Sequence, residues 1–286
     1  MTRAPLRRLL LVGLSTALAA GCSPAGSTRQ LDLLEGQLGA SIADKHAPVV
    51  AVVVDQSRTS VSYSLDGRIQ PYTLWPTPAQ GDVTDAAVVA LAVDTFPVAS
   101  FASLTRDFVT GCSASTYSVE VRAVSAAAFT TSSTCGTQRG PARLNDTGLV
   151  ALAGDWTPET LASLWSELAV LGTPILQITA LPDTVEVVLA EEPATSPNHA
   201  CSITWHRNRA DPWVSASTCQ PSRPSQQQVL DLDRLTPATV AGALQSAMTE
   251  AGLVEQRGVT VTLANWGTPR LTVSRGTAQA SVDLRQ

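Results

Sequence analysis

The sequence predicts an α+β fold: tandem, degenerate units, each with one helix packed on an antiparallel sheet of three to four strands. Three observations lead there. Thr157-Pro158 and Thr236-Pro237 have the same form of helix start, an N-cap threonine followed by a proline whose missing N–H costs nothing at the first helical position. Trp156 with Leu161, and Leu235 with Val240, have the spacing of a hydrophobic staple at those two starts. Each start is followed by short apolar segments separated by tight turns, which suits hairpins rather than the long crossovers of a parallel sheet.

Along the chain, Leu31, Leu34, Leu38 and Ile42 recur at helical spacing within 31–44. The β-branched run Val49–Val54 and the alternating Thr59–Leu65 follow as strands, and Asp66-Gly67 is a hairpin turn leading to a strand over Ile69–Leu74. A second helix starts near Pro97 with Phe101, Leu104 and Phe108 predicted inward, before strands at Tyr117–Val124 and Phe129–Cys135. Strands at Ile175–Leu181, Thr184–Ala190, Cys201–His206 and Trp213–Cys219 follow the third helix. The fourth precedes Val259–Leu263, Arg270–Ser274 and Ala278–Leu284, the last two joined across Arg275-Gly276. This order implies two to four units. The Gly-, Arg-, Asn- and Asp-rich stretch 136–155 divides an N-terminal half (31–140) from a C-terminal half (150–286), while 82–93 has no clear periodicity.

The first residues form an export signal. Arg3, Arg7 and Arg8 precede an apolar run over Leu9–Ala20. That run is shorter than the ~20 residues a spanning helix needs. It ends in Leu18-Ala19-Ala20-Gly21-Cys22-Ser23, which resembles the lipobox of bacterial lipoproteins. The resemblance covers this segment alone. It implies removal of 1–21, lipidation (palmitate) of Cys22 as the new N-terminus, a short tether over 22–30, and a lipid-anchored place on the extracytoplasmic face of the cell membrane. Leu18 stands one place earlier than that family's leucine, so ordinary cleavage after Ala17-Leu18-Ala19 is the alternative, giving a soluble secreted chain. One lysine beside eighteen arginines fits a GC-rich, actinobacterial genome.

Cysteine parity agrees with the lipid reading. With Cys22 acylated, four of the five cysteines remain, an even number in an oxidising compartment: Cys112, Cys135, Cys201 and Cys219. A hairpin centred on Ala210 would set Cys201 opposite Cys219 at about 4.5–5.5 Å between Cα atoms, within disulfide range. Cys112 and Cys135 bracket the earlier hairpin and form the other expected bridge. Four cysteines allow about three connectivities, of which the local one is expected.

The remaining chemistry is sparse. His199, Cys201, His206 and Cys219 match no zinc spacing, so no metal or cofactor is expected. No nucleophile elbow, paired metalloprotease histidines, phosphate-cradling glycine loop or Ser-x-x-Lys site occurs. Glu191-Glu192 and Asp231/Asp233 fit solvated or capping acids. Removing the three signal-peptide arginines leaves 16 basic against 24 acidic residues, a net of −8, which opposes nucleic acid as a partner. Trp213 and Trp266, near turns, are the candidates for exposed binding contact. The expectation is a non-enzymatic binding module of the cell envelope, its partner an envelope protein or cell-wall polymer. The alternatives are a carrier of lipid or another apolar ligand and, third, an envelope hydrolase.

Overall fold

The computed structural model describes residues 25–66, 68–84, 88–152, 154–191, 201–210, 214–216, 220–221 and 227–284. Cys22, Glu192, His199, Trp213 and Cys219 lie outside them.

The N-terminal half runs α1 (Ala25–Lys45), β1 (Val49–Asp55), β2 (Thr59–Leu65), β3 (Arg68–Trp75), β4 (Ala79–Gln80), α2 (Val98–Gly111), β5 (Tyr117–Ala123) and β6 (Phe129–Cys135). Three two-residue strands follow: β7 (Gln138–Arg139), β8 (Arg143–Leu144) and β9 (Thr147–Gly148). The C-terminal half runs α3 (Pro158–Val170), β10 (Ile175–Ala180), β11 (Thr184–Glu191), β12 (Cys201–Asn208), β13 (Val214–Ala216), β14 (Gln220–Pro221), α4 (Pro237–Glu250), β15 (Thr260–Asn265), β16 (Pro269–Arg275) and β17 (Ala278–Asp283).

Every pairing between the strands is antiparallel. One sheet has the order β4-β3-β2-β1-β5-β6-β8-β9 and the other β13-β12-β11-β10-β15-β16-β17, with β7 and β14 paired to β6 and β12. In each half a helix leads into a meander that runs outward from a central pair, β1/β5 or β10/β15, and a second helix leads into a meander running the other way. The fold is therefore α+β with tandem helix-plus-antiparallel-strand units. Two units of a half share one sheet rather than each owning one, a long-range pairing that local sequence patterns do not encode.

The stripe Leu31, Leu34, Leu38 and Ile42 of α1 is buried, and Leu34, Leu38 and Ile42 share a core with Val52, Val54, Val61, Tyr63, Val119 and Val121 of the sheet. Full burial of each large apolar side chain favours this arrangement by about 1.5–3 kcal/mol. Helices pack in pairs, α1 beside α2 and α3 beside α4, as well as on the strands. Thr157 and Thr236 are the N-caps of α3 and α4, accepting from the backbone N–H of Thr160 and Thr239, with Pro158 and Pro237 in the first turn. The staple residues Trp156, Leu161, Leu235 and Val240 are buried together.

Three sequence expectations change, and one unassigned segment gains a place. In α2 the buried face is Phe101, Ala102 and Thr105, while Leu104 and Phe108 are only half-buried at its flank, because α2 meets the sheet chiefly at β5. α1 begins at Ala25, so 25–30 is helical rather than a tether. In the β12 hairpin, Trp205 faces Ala216 and Cys201 faces Pro221. The pairing is thus offset from the expected register by one residue at Trp205 and by two at Cys201. A Cys201–Cys219 bridge lies outside the described residues. The segment 88–91, without periodicity of its own, joins β1 through an antiparallel bridge between Val49 and Leu91, and Ala90 covers Val50 and Ala51.

The stretch between the halves is built into both. Leu144 and the following Leu149 and Leu152 bury in the C-terminal core, and the Ser125 hydroxyl donates to the carbonyl of Leu171 at 2.6 Å. Arg207, fully buried on β12, pairs with Glu167 of α3, its Nε and Nη2 donating to the two carboxylate oxygens at 3.0 Å each. Arg207 Nη2 also donates to the carbonyl of Val150, tying the connecting strap to the pair.

Candidate functional site

The predicted residues separate rather than converge. Cys112, capping the C-terminal end of α2, is disulfide-bonded to Cys135 at the end of β6, with Cα atoms 5.6 Å apart. Trp266 is 61 % exposed on the turn between β15 and β16, where the Asn265 side chain accepts from Gly267 N–H and Arg270 pairs with Asp283 at 2.7 Å nearby. His46 ends α1 with a positive φ of 47°. His206 lies 3.5 Å from Glu186, its direct cross-strand neighbour, and its other register partner is Ser215. These three positions form a row across open strands, outside the clefts below. Among the described residues no cluster of His, Cys, Asp and Glu could hold a metal ion, and no helix is long and apolar enough to cross a membrane.

Three spaces test what the fold can hold. Between α3, α4 and their sheet the free volume is only about 30 Å³, lined by Leu164, Leu244, Leu263 and Leu271 among others. That interface is a packed core. A second space, an open cleft of about 440 Å³, lies around Trp156 and Arg209. The Arg209 guanidinium stacks 4.1 Å from the Trp156 ring and donates to the carbonyls of Leu152, Pro182 and Gly154. Burial pushes its pKa down, against the opposing influence of Asp155 and Asp183. Arg209 therefore clamps three backbone segments and is committed to structure.

The third space is an open groove of about 580 Å³ beside α2. Ser103, Leu104, Asp107 and Phe108 line it from α2, Thr131 and Ser133 from β6, and Arg143 and Asp146 from the strap beyond. Its origin is visible in the register. Thr131 and Ser133 stand opposite Val121 and Val119, where the C-terminal half sets Leu271 and Val273 opposite Leu263 and Val261. Hydroxyls thus occupy two positions that are aliphatic under α4. The outer strand is also reduced, since β8 has two residues where β17 has six. α4 lies over β16 and β17, but α2 has no equivalent surface to close on. Gly140 lets the strap pass close to the groove floor, because a Cβ there would meet the Ser133 hydroxyl at 2.3 Å and the Phe108 ring at 3.1 Å.

One polar atom at this site, Arg143 Nε, is buried without a hydrogen-bond partner among the described residues. Arg143 Nη2 donates to the Asp146 carbonyl. Unpaired buried donors are uncommon in folded proteins and mark places worth explaining. Sequence reasoning missed this groove. Its one signal was the run Thr130-Thr131-Ser132-Ser133-Thr134, polar at every position of a strand that alternation would make half apolar.

No protein-family model matches the chain, and no curated protein matches it. Solved structures give slight likenesses. The DNA polymerase III beta subunit of Thermotoga maritima is 9 % identical with a TM-score of 0.15, over 90 % of this chain and 63 % of that one. The beta subunit of Pseudomonas aeruginosa is 10 % identical with a TM-score of 0.16, over the same shares. The PCNA2-PCNA3 complex of Sulfolobus tokodaii is 9 % identical with a TM-score of 0.16, over 87 % and 94 %. This chain therefore spans 63 % of the length of either beta subunit. Likenesses this slight establish no shared family.

Proposed function

We propose that this chain is a cell-envelope lipoprotein, anchored through Cys22 on the extracytoplasmic face of the membrane, that acts as a non-enzymatic binding module. The observation that carries the binding reading is the contrast between a filled helix–sheet core, with about 30 Å³ of space, and the open groove of about 580 Å³ beside α2. A hydroxyl floor, the Phe108 edge, Asp107 and the unpaired Arg143 Nε suit a polar partner, an envelope protein or cell-wall polymer. An acyl chain needs an apolar cavity of some hundreds of Å³, which the space under α3 and α4 does not offer. Hydrolysis of the Ser-His-Asp kind needs a histidine poised in a polar cleft, and neither His46 nor His206 lines the groove. The acidic balance of the mature chain disfavours nucleic acid.

The test is photo-crosslinking in intact cells, with a photoreactive side chain at Ser103 on the groove wall or at Ser246 on the exposed face of α4. Adducts at Ser103 and none at Ser246 are expected. Adducts at neither position, or equally at both, would contradict the groove as the binding surface.

A further inference from the structure

We infer that the end of the N-terminal half that carries the start of α1 rests against the lipid headgroups of the anchoring bilayer, with Arg29, Trp75 and Arg58 as its contacts. This inference rests on the anchor at Cys22 proposed above. α1 begins at Ala25, so Ser23 and Pro24 alone separate the acylated cysteine from the helix. Two residues reach about 7 Å at full extension, and Arg29 lies about 6 Å further along the helix axis. The headgroup layer on one side of a bilayer is itself roughly 5–8 Å thick. The domain therefore cannot stand clear of the membrane while α1 keeps its place.

Buried bonds hold α1 there. Gln30 is fully buried, and its amide donates to the Asp55 carbonyl at 3.1 Å and the Thr59 hydroxyl at 2.9 Å. The Tyr117 hydroxyl donates to Gln30 Oε1 at 3.5 Å. These contacts fasten the start of the helix to the β1–β2 turn, and peeling α1 away would give up these bonds and expose the buried Leu31 and Leu34 to water. The anchor thus determines which surface meets the bilayer.

That surface has interfacial chemistry. The Arg29 guanidinium lies 5.9 Å from the centre of the Trp75 ring, an exposed arginine beside a half-buried tryptophan. Pro76, Thr77 and Pro78 continue the exposed turn after β3, and Gln56, Ser57 and Arg58 form the exposed β1–β2 turn. Asp55, the acid of this turn, pairs with Arg58 at 3.2 Å. Tryptophan prefers the headgroup level of membranes, and arginine donates well to phosphate.

The experiment places the purified, lipidated chain in vesicles of phosphatidylcholine and phosphatidylglycerol whose acyl chains carry bromine near the headgroup, which quenches adjacent tryptophan. Three forms are compared: the unaltered chain, Trp75→Phe, and a chain with a flexible ten-residue Gly/Ser spacer inserted after Ser23. The unaltered chain should be quenched. Trp75→Phe should remove more than half of that quenching, and the spacer should reduce it several-fold by lifting the domain. Equal quenching in all three forms, or none in the unaltered chain, would overturn the inference alone if mass spectrometry finds lipid on Cys22. A chain without that lipid would overturn the anchor reading and this inference with it.

Discussion

The two halves have the same order of helices and meanders but are held together differently. In the C-terminal half α3 and α4 close over a mainly apolar sheet face, both helices start at a threonine cap with proline behind it, and a buried Arg207–Glu167 pair joins β12 to α3. In the N-terminal half, α2 follows Pro97 with no side-chain cap, and hydroxyls replace aliphatic groups on β6. The Cys112–Cys135 bridge fastens α2 to the strand it fails to cover. The comparison teaches that one topology can be stabilised by packing in one copy and by a covalent staple in the other. Where packing is relaxed, a surface groove opens.

Breaking the buried pair should have the largest effect. Glu167→Ala should cost about 3–5 kcal/mol, because it leaves the Arg207 charge buried without its partner. Replacing both partners with apolar residues, Glu167→Leu with Arg207→Met, should restore most of the loss. Urea unfolding measures both; a single-variant loss below about 1 kcal/mol would mean that the pair does not hold the C-terminal half.

Opening the staple comes next. Cys112→Ala with Cys135→Ala removes a link across 23 residues, and should cost about 3 kcal/mol in the chain-entropy view of disulfides. The loss should appear first as faster amide exchange in α2 and β6, with α4 and β16 protected as before. Uniform loosening of both halves would show that they do not differ in the proposed way.

The caps give the smallest effect. Thr236→Ala should lower stability by about 1 kcal/mol, since its hydroxyl oxygen accepts from Thr239 N–H at 3.2 Å. Ser100→Ala in the first turn of α2, which has no cap bond to lose, should stay within about 0.5 kcal/mol. Thermal unfolding of both variants sharpens the contrast, and equal shifts would erase it.

Local signals in the sequence account for much of this architecture. The Thr-Pro helix starts, the staples and the strands Thr59–Leu65 and Phe129–Cys135 fall where the pattern of caps, alternation and turns puts them. Three things were not legible. The β1/β5 and β10/β15 pairings that fuse two units into one sheet join distant segments, and nothing local encodes them. The partners of β12 are offset by one and then two residues from equal spacing about Ala210, an offset that the local pattern does not carry. The groove came from Thr131, Ser133 and a shortened β8 acting together, each ordinary by itself.

The central claim, a binding domain held at the membrane by Cys22, is tested most directly by the intact mass of the mature chain extracted from membranes. The account predicts a polypeptide that begins at Cys22 and carries the added mass of its lipid. A lipid-free chain beginning at Ala20, released by ordinary cleavage after Ala19, would contradict it.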